Sequence, residues 1–230
     1  MTRNTWARIA GLMFLFYIAT ALPVTVLFEQ AAGGEGIPAK LLGIAENASK
    51  VKLSILLSLV TIMDALVLTV ALFAITRDQD FELAVLALCF RVCEGILGAI
   101  GIVATLGLLW LATTGAGTYG PGSANALAAL LLKVNAWSTI IGAFVFAVGS
   151  TIFAWLFLRA RSIPEPLAWL GILASVLLVA LLPAQLIGVV GGPVAWFMWM
   201  PMLVFELTLA LWLLIKGVAA PSTRVAHSSA

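Results

Sequence analysis

Four charged side chains stand inside otherwise apolar stretches of this 230-residue chain, and they are Asp64, Arg91, Glu94 and Glu206. If these stretches cross a bilayer, each charge facing lipid at its centre would cost about 2.5–3.5 kcal/mol. Four such costs would add up to about the stability of a whole domain. We therefore expect all four side chains to face one another in the interior of the protein.

The positions of these four residues along the chain predict that they lie at one depth. Each is nine to thirteen residues from a charged residue at the same predicted boundary, namely Arg77, Glu82 or Lys216. At about 1.5 Å per helical residue, this spacing puts them about 14–20 Å from that boundary in a core about 30 Å thick. We expect a single layer of buried charge.

The composition of the layer is unequal, because three carboxyls share it with one guanidinium. Arg91 can hold one carboxylate through two hydrogen bonds and touch a second one. The excess of acids makes at least one of the carboxyls a candidate to hold a proton, and we expect it to be Glu206. Glu206 follows Pro201 by five residues, on a helix whose backbone is expected to be kinked and locally hydrated there.

A polar lining is predicted from two stripes of residues that recur at helical spacing. One stripe precedes Asp64 and the other follows Glu94, and small residues on them would allow helices to approach closely. The predicted lining residues are Ser54, Ser58, Thr61 and Thr105.

Three interpretations of the buried charges remain open from the sequence. They can hold helices in register, they can form a pathway for a proton, ion or small solute, or they can serve an unrecognised chemistry.

The only histidine is His227, near the end of the chain, so histidine-ligated metal sites and a buried Ser-His nucleophile are not expected. We predict no enzyme, no catalytic residue, no metal site and no cofactor.

The elements that position these residues follow from the composition. Hydrophobic residues make up 63% of the chain and charged residues 10%, with a mean hydropathy of +1.16. A soluble domain is about half apolar and a quarter charged, so this composition predicts a multi-pass membrane protein in contact with the lipid bilayer. A net charge of +2 gives no reason to expect a nucleic-acid partner.

The chain divides into six predicted spans, each an uncharged or nearly uncharged run of about 20 residues or more. A short amphipathic helix is predicted between the first two, and residues 113–123 are predicted to form a loop, followed by a helical lead-in over residues 124–135. Gly191-Gly192-Pro193 separates the last two spans. The predicted spans are residues 9–28, 53–76, 83–112, 136–158, 167–190 and 194–215.

These elements predict an all-α fold, with a six-helix transmembrane domain over residues 1–217 and a disordered cytoplasmic tail over residues 218–230. The first span is interpreted as a retained helix, with a cleaved signal peptide as the alternative.

An even number of spans puts both termini on one side of the membrane. Seven basic residues fall on that side and four on the other, so the positive-inside rule predicts that both termini are cytoplasmic.

Short motifs along nearly the whole chain resemble a bacterial integral-membrane family catalogued as domain of unknown function 4386. The resemblance implies an inner-membrane helical protein without an assigned activity. The matching pieces are Arg8-Ile9-Ala10-Gly11-Leu12, the span that contains Asp64, Phe90-Arg91-Val92, the run from Leu158 to Pro164, Phe205-Glu206, Trp212-Leu213 and Lys216-Gly217.

Two functional interpretations follow from the sequence. The first is a membrane protein of uncharacterised activity whose buried polar centre is structural or serves a partner. The alternative is a proton-linked transporter, for which a small-molecule solute would be the partner. The sequence does not indicate the oligomeric state.

Overall fold

A computed structural model describes residues 1–115 and 120–219, and in these ranges the chain is helical without strands. The predicted all-α class is confirmed. The elements are α1 (Arg3–Ala31), α2 (Ile37–Glu46), α3 (Ala48–Thr76), α4 (Phe81–Trp110), a π-helical turn (Leu111–Gly115), α5 (Pro121–Ala160), α6 (Glu165–Leu186), α7 (Pro193–Phe197) and α8 (Met200–Ile215).

Within the described ranges, six helices are long and apolar enough to cross a bilayer. They are α1, α3, α4 with its π-helical turn, α5, α6, and the pair α7 and α8, which together form one span. The short helix α2 lies between the first two spans, as predicted from its amphipathic pattern. The chain is therefore a multi-pass membrane protein.

The six spans form a closed ring. Each spanning helix packs most extensively against two others, in the order α1, α3, α4, α5, α6, α8 and back to α1. Short connections between antiparallel neighbours produce this order, and contact between the first and last spans closes it. A ring has an interior that lipid does not reach, so polar side chains on inward faces can meet there.

Close backbone contact joins α1 to α8. A Cβ atom placed on Gly11 would lie 2.6 Å from the carbonyl oxygen of Ala210 and 2.9 Å from the backbone nitrogen of Leu214. No side chain fits between these two helices at that point, which is the role that small residues have in membrane helix pairs.

Helix α5 is longer than predicted. The lead-in over residues 124–135 and the fourth span are one continuous helix of 40 residues, about 60 Å at about 1.5 Å per residue. Asn135 does not begin a new helix there. Its side-chain Nδ2 instead donates to the carbonyl oxygen of Gly101, at 3.1 Å, and to Oγ1 of Thr105, at 2.9 Å, both on α4.

Two apolar clusters fill the fold. The larger one occupies the ring, and its buried aromatic residues are Phe14, Phe146, Phe153, Phe157 and Phe205. The smaller one lies where α2 packs against α1, α3, α4 and α5. The turn between α1 and α2 requires glycine, because Gly34 and Gly36 have φ angles of 106° and 83°.

The two ends of the described chain meet at one end of the ring. The backbone nitrogen of Val218 donates to Oδ1 of Asn4 at 3.2 Å, and that of Ala219 donates to the carbonyl oxygen of Ser162 at 3.0 Å. The predicted tail is thus held at its first two residues, and its remainder, residues 220–230, lies outside the described residues.

The sixth span is interrupted rather than kinked. It runs as α7, a break at Met198 and Trp199, and then α8. Pro201 lies in the first turn of α8, where its missing N–H costs no hydrogen bond.

Of the predicted loop over residues 113–123, the first three residues belong to the π-helical turn and the last three to α5, while residues 116–119 lie outside the described residues.

Candidate functional site

The four predicted charges come from three helices of the ring: Asp64 from α3, Arg91 and Glu94 from α4, and Glu206 from α8. Asp64, Arg91 and Glu206 are at most 8% exposed. The guanidinium of Arg91 attracts all three carboxyls, and Glu94 and Glu206 repel each other. The four residues are therefore grouped around Arg91, which is within electrostatic reach of each of the three carboxyls. We call them the charged centre.

Arg91 has one direct ion-pair partner. Its Nη1 lies 2.9 Å from Oε2 of Glu94, three residues later on the same helix. The pair lacks the alignment of a hydrogen bond. Tyr17 of α1 donates a hydrogen bond of 3.3 Å to Oε1 of the same carboxylate. Glu94 thus has a cation at one oxygen and a hydroxyl donor at the other.

Helix α5 covers Arg91 from another side. The guanidinium carbon lies 4.6 Å from the centre of the Phe146 ring, a distance at which a cation is attracted to the face of an aromatic ring. Gly149 faces the stem of Arg91, since a Cβ atom there would lie 3.2 Å from the arginine Cγ. The side chain is therefore fixed by packing as well as by charge.

Asp64 and Glu206 differ from Glu94, because neither forms a hydrogen bond or an ion pair with another described residue. Both carboxyl oxygens of Asp64 are buried and without a hydrogen-bond partner among the described residues. Buried polar groups in proteins are normally hydrogen-bonded, so two unpartnered carboxyls beside one paired carboxylate are the unusual feature of this site.

Arg91 and Glu206 both line one small cavity. Its volume is about 20 Å³, enough for about one water molecule. Ser150 of α5 is the third polar residue of its wall, and three polar neighbours are what a buried water requires. The other wall residues are apolar: Phe14, Leu72, Phe153, Ala154, Phe157, Phe205 and Leu209.

None of the predicted lining residues forms a hydrogen bond with the charged centre in the described part of the chain. The hydroxyls of Ser54, Ser58 and Thr61 each donate to a carbonyl of their own helix, three or four residues earlier. Thr105 donates to Gly101 and accepts from Asn135, so it joins α4 to α5. The four hydroxyls therefore bond to backbone carbonyls of their own helices and, at Thr105, also to the side chain of Asn135, rather than to the buried charges.

Sequence reasoning missed Tyr17 and Ser150, although a signal for both was present. Tyr17 lies nine residues after Arg8, and Ser150 lies nine residues before Arg159. At about 1.5 Å per residue, both fall about 14 Å from the boundary, which is the depth predicted for the charged centre. A hydroxyl at that depth in an apolar helix requires a partner.

Replacing Tyr17 with phenylalanine tests the hydrogen bond to Glu94. The change removes the hydroxyl donor and keeps the ring, so we expect a loss of about 1 kcal/mol in the free energy of unfolding. Chemical unfolding in detergent would measure it. As a control, Thr25→Val removes a hydroxyl of α1 that donates only to its own helix. An equal loss in both variants would contradict a specific role for Tyr17.

Among the described residues, no group of three or more histidine, cysteine or acidic residues could hold a metal ion.

A family model described as Domain of unknown function (DUF4386) matches residues 9–217. The chain belongs to this family. The match covers the first span from residue 9 onward, the other five spans and the whole charged centre, and it confirms the resemblance. Searches of the curated proteins and of the solved structures return no significant match.

Proposed function

We propose that this membrane protein is a proton-linked carrier of a small solute, and that Glu206 and Asp64 are its proton-exchanging groups. The observation that carries the proposal is the pair of unpartnered carboxyls inside the ring, next to a single guanidinium. Ionisable residues within membrane spans are costly and commonly mark pathways for ions and protons. A purely structural ion pair would need only Arg91 and Glu94.

The proposal gives the residues of the site different roles. Arg91 is held by Glu94, Phe146 and the close approach of α5, so it acts as a fixed positive charge. Glu206 lines the same cavity of about 20 Å³ as Arg91. A water molecule in that cavity would connect the Glu206 carboxyl to Arg91 and Ser150. Such a water would give the carboxyl a partner with which to exchange a proton.

Proton flux into liposomes tests the carrier proposal. Purified protein is reconstituted with an internal pH-sensitive dye, a pH gradient is imposed, and amino acids, sugars and carboxylates are added one at a time. We expect flux above that of protein-free liposomes for the wild type and none for Glu206→Gln. The matched control is Glu165→Gln, an exposed carboxyl at the start of α6, which should behave as the wild type.

Absence of flux from the wild type under every gradient and with every solute would contradict the carrier proposal. Unaltered flux in Glu206→Gln would remove Glu206 from it.

A second candidate function rests on the Arg91, Glu94 and Tyr17 contacts, which tie α1 to α4 and support a structural centre that holds the helices in register. Under this proposal Glu206→Gln reduces the yield of monodisperse protein, because a buried charge interaction with Arg91 is lost. The carrier proposal instead expects a folded, inactive variant. Size-exclusion chromatography of the variant therefore separates the two candidates.

We further propose that the protein lies in a bacterial inner membrane with both termini in the cytoplasm. Support comes from the end of the ring where residues 3–4 meet residues 218–219. The basic residues assigned to this end are Arg3, Arg8, Arg77, Arg159, Arg161 and Lys216, while Arg224 lies outside the described residues. Basic residues favour the cytoplasmic side. We propose no catalytic activity, because the charged centre offers an enzyme nothing more specific than generic carboxyls.

A further inference from the structure

A surface groove of about 500 Å³ runs between the start of α1 and the end of α8, outside the ring and away from the charged centre. The residues of its wall change from polar to apolar along its length. The outer part is polar, with Thr2, Asn4, Thr5 and Arg8, and the inner part is apolar, with Ile9, Leu12 and Leu214. Such a gradient fits a molecule that has a polar head and an apolar tail.

Arg8 gives the polar part of the groove its charge. It is exposed and forms no ion pair or hydrogen bond with any described residue. Arg3, by contrast, donates to the carbonyl oxygen of Ile75 at 2.9 Å, and Arg159 pairs with Asp80 at 3.0 Å. No acidic residue lines the groove. Its positive charge is therefore available to an external anion.

The polar wall is held in place by bonds within the protein. The hydroxyl oxygens of Thr2 and Thr5 lie 2.8 Å apart, and Oδ1 of Asn4 accepts from the backbone nitrogen of Val218. The side-chain NH₂ of Asn4 is left to donate to a ligand. Hydroxyl, amide and guanidinium donors together match the oxygen atoms of a phosphate group.

The depth of the groove indicates the source of that phosphate. Arg8 is the last charged residue before the uncharged run of residues 9–28, so it lies at the boundary between headgroups and hydrocarbon. The apolar wall residues continue inward from it along α1 and α8. We infer that this groove binds one phospholipid with an anionic headgroup, whose phosphate contacts Arg8 and whose acyl chain lies along Leu12 and Leu214.

Native mass spectrometry with dioctanoyl-phosphatidylglycerol tests this inference on the full chain in detergent. We expect one preferentially bound lipid and about fivefold weaker binding in Arg8→Gln, because one basic residue near an anionic lipid surface contributes about that factor. The control is Arg161→Gln, which removes an exposed basic residue outside the groove wall. It should change the affinity by less than twofold.

Two further ligands distinguish a lipid site from general attraction of anions. Dioctanoyl-phosphatidylcholine has the same phosphate but no net charge, so it should bind more weakly to the wild type and should lose less affinity in Arg8→Gln than the anionic lipid does. Glycerol phosphate, which lacks acyl chains, should bind too weakly to detect.

Leu12→Ala should weaken binding of the anionic lipid, because it removes part of the apolar wall. Equal losses in the Arg8 and Arg161 variants, or equal binding of the two lipids, would overturn the inference. Binding of glycerol phosphate as tight as that of the lipid would also overturn it.

Discussion

Replacing Arg91 with methionine is expected to lower the free energy of unfolding by about 3–5 kcal/mol, the cost of removing one partner from a buried ion pair. Arg91 and Glu94 are 2% and 15% exposed at their side chains, so water cannot replace the lost cation. The variant also leaves Asp64 and Glu206 without the one guanidinium that attracts them. Unfolding in detergent, followed by helical signal, would measure the loss.

The double variant Arg91→Met with Glu94→Met distinguishes the loss of the ion pair itself from the cost of leaving Glu94 buried without its cation. Replacing both members of a buried pair by apolar residues of similar volume is often nearly neutral, so we expect the double variant to recover much of the stability. Lys133→Met is the control, since it removes an exposed cation of α5. Wild-type stability of the single Arg91 variant would contradict a buried, interacting charge at this position.

Replacing Gly11 with alanine is expected to cost about 1–3 kcal/mol, the usual penalty for overpacking a well-packed contact. The added Cβ would lie 2.6 Å from a backbone oxygen of α8, and a backbone atom cannot move aside as a flexible side chain can. The contact between α1 and α8 closes the ring, so its loss would separate the first and last spans. The shift of the unfolding temperature would report the cost.

Gly122→Ala is the matched control for this prediction. Gly122 lies in the first turn of α5, and nothing is within 4 Å of the Cβ position there. A substitution from glycine to alanine in a helix with free space is neutral or stabilises by about 0.4–1 kcal/mol. If both glycine variants shifted the unfolding temperature alike, the proposed closeness of α1 and α8 would be incorrect.

The sequence by itself determined the class of the protein and the number of spans, and it predicted one depth for the buried charges. Apolar runs of about 20 residues can be satisfied in a membrane only by helices, because lipid offers no hydrogen-bond partner to the backbone. Regular helices convert residue number into depth, so one layer for Asp64, Arg91, Glu94 and Glu206 could be predicted by counting. Gly191-Gly192-Pro193 likewise marked the separation of the last two spans, since it interrupts helix geometry.

Only the tertiary structure decided which helices are neighbours and which carboxyl belongs to Arg91. The ring order follows from packing between faces that are all apolar, and hydrophobicity alone does not rank such faces. The pairing of Arg91 with Glu94 rather than Glu206, and the donation from Tyr17, depend on side-chain direction across helices that are distant in sequence. The sequence prediction divided α5 at residue 135 into a helical lead-in and a span, whereas the helix continues through Asn135 and the amide of this residue bonds to the neighbouring α4.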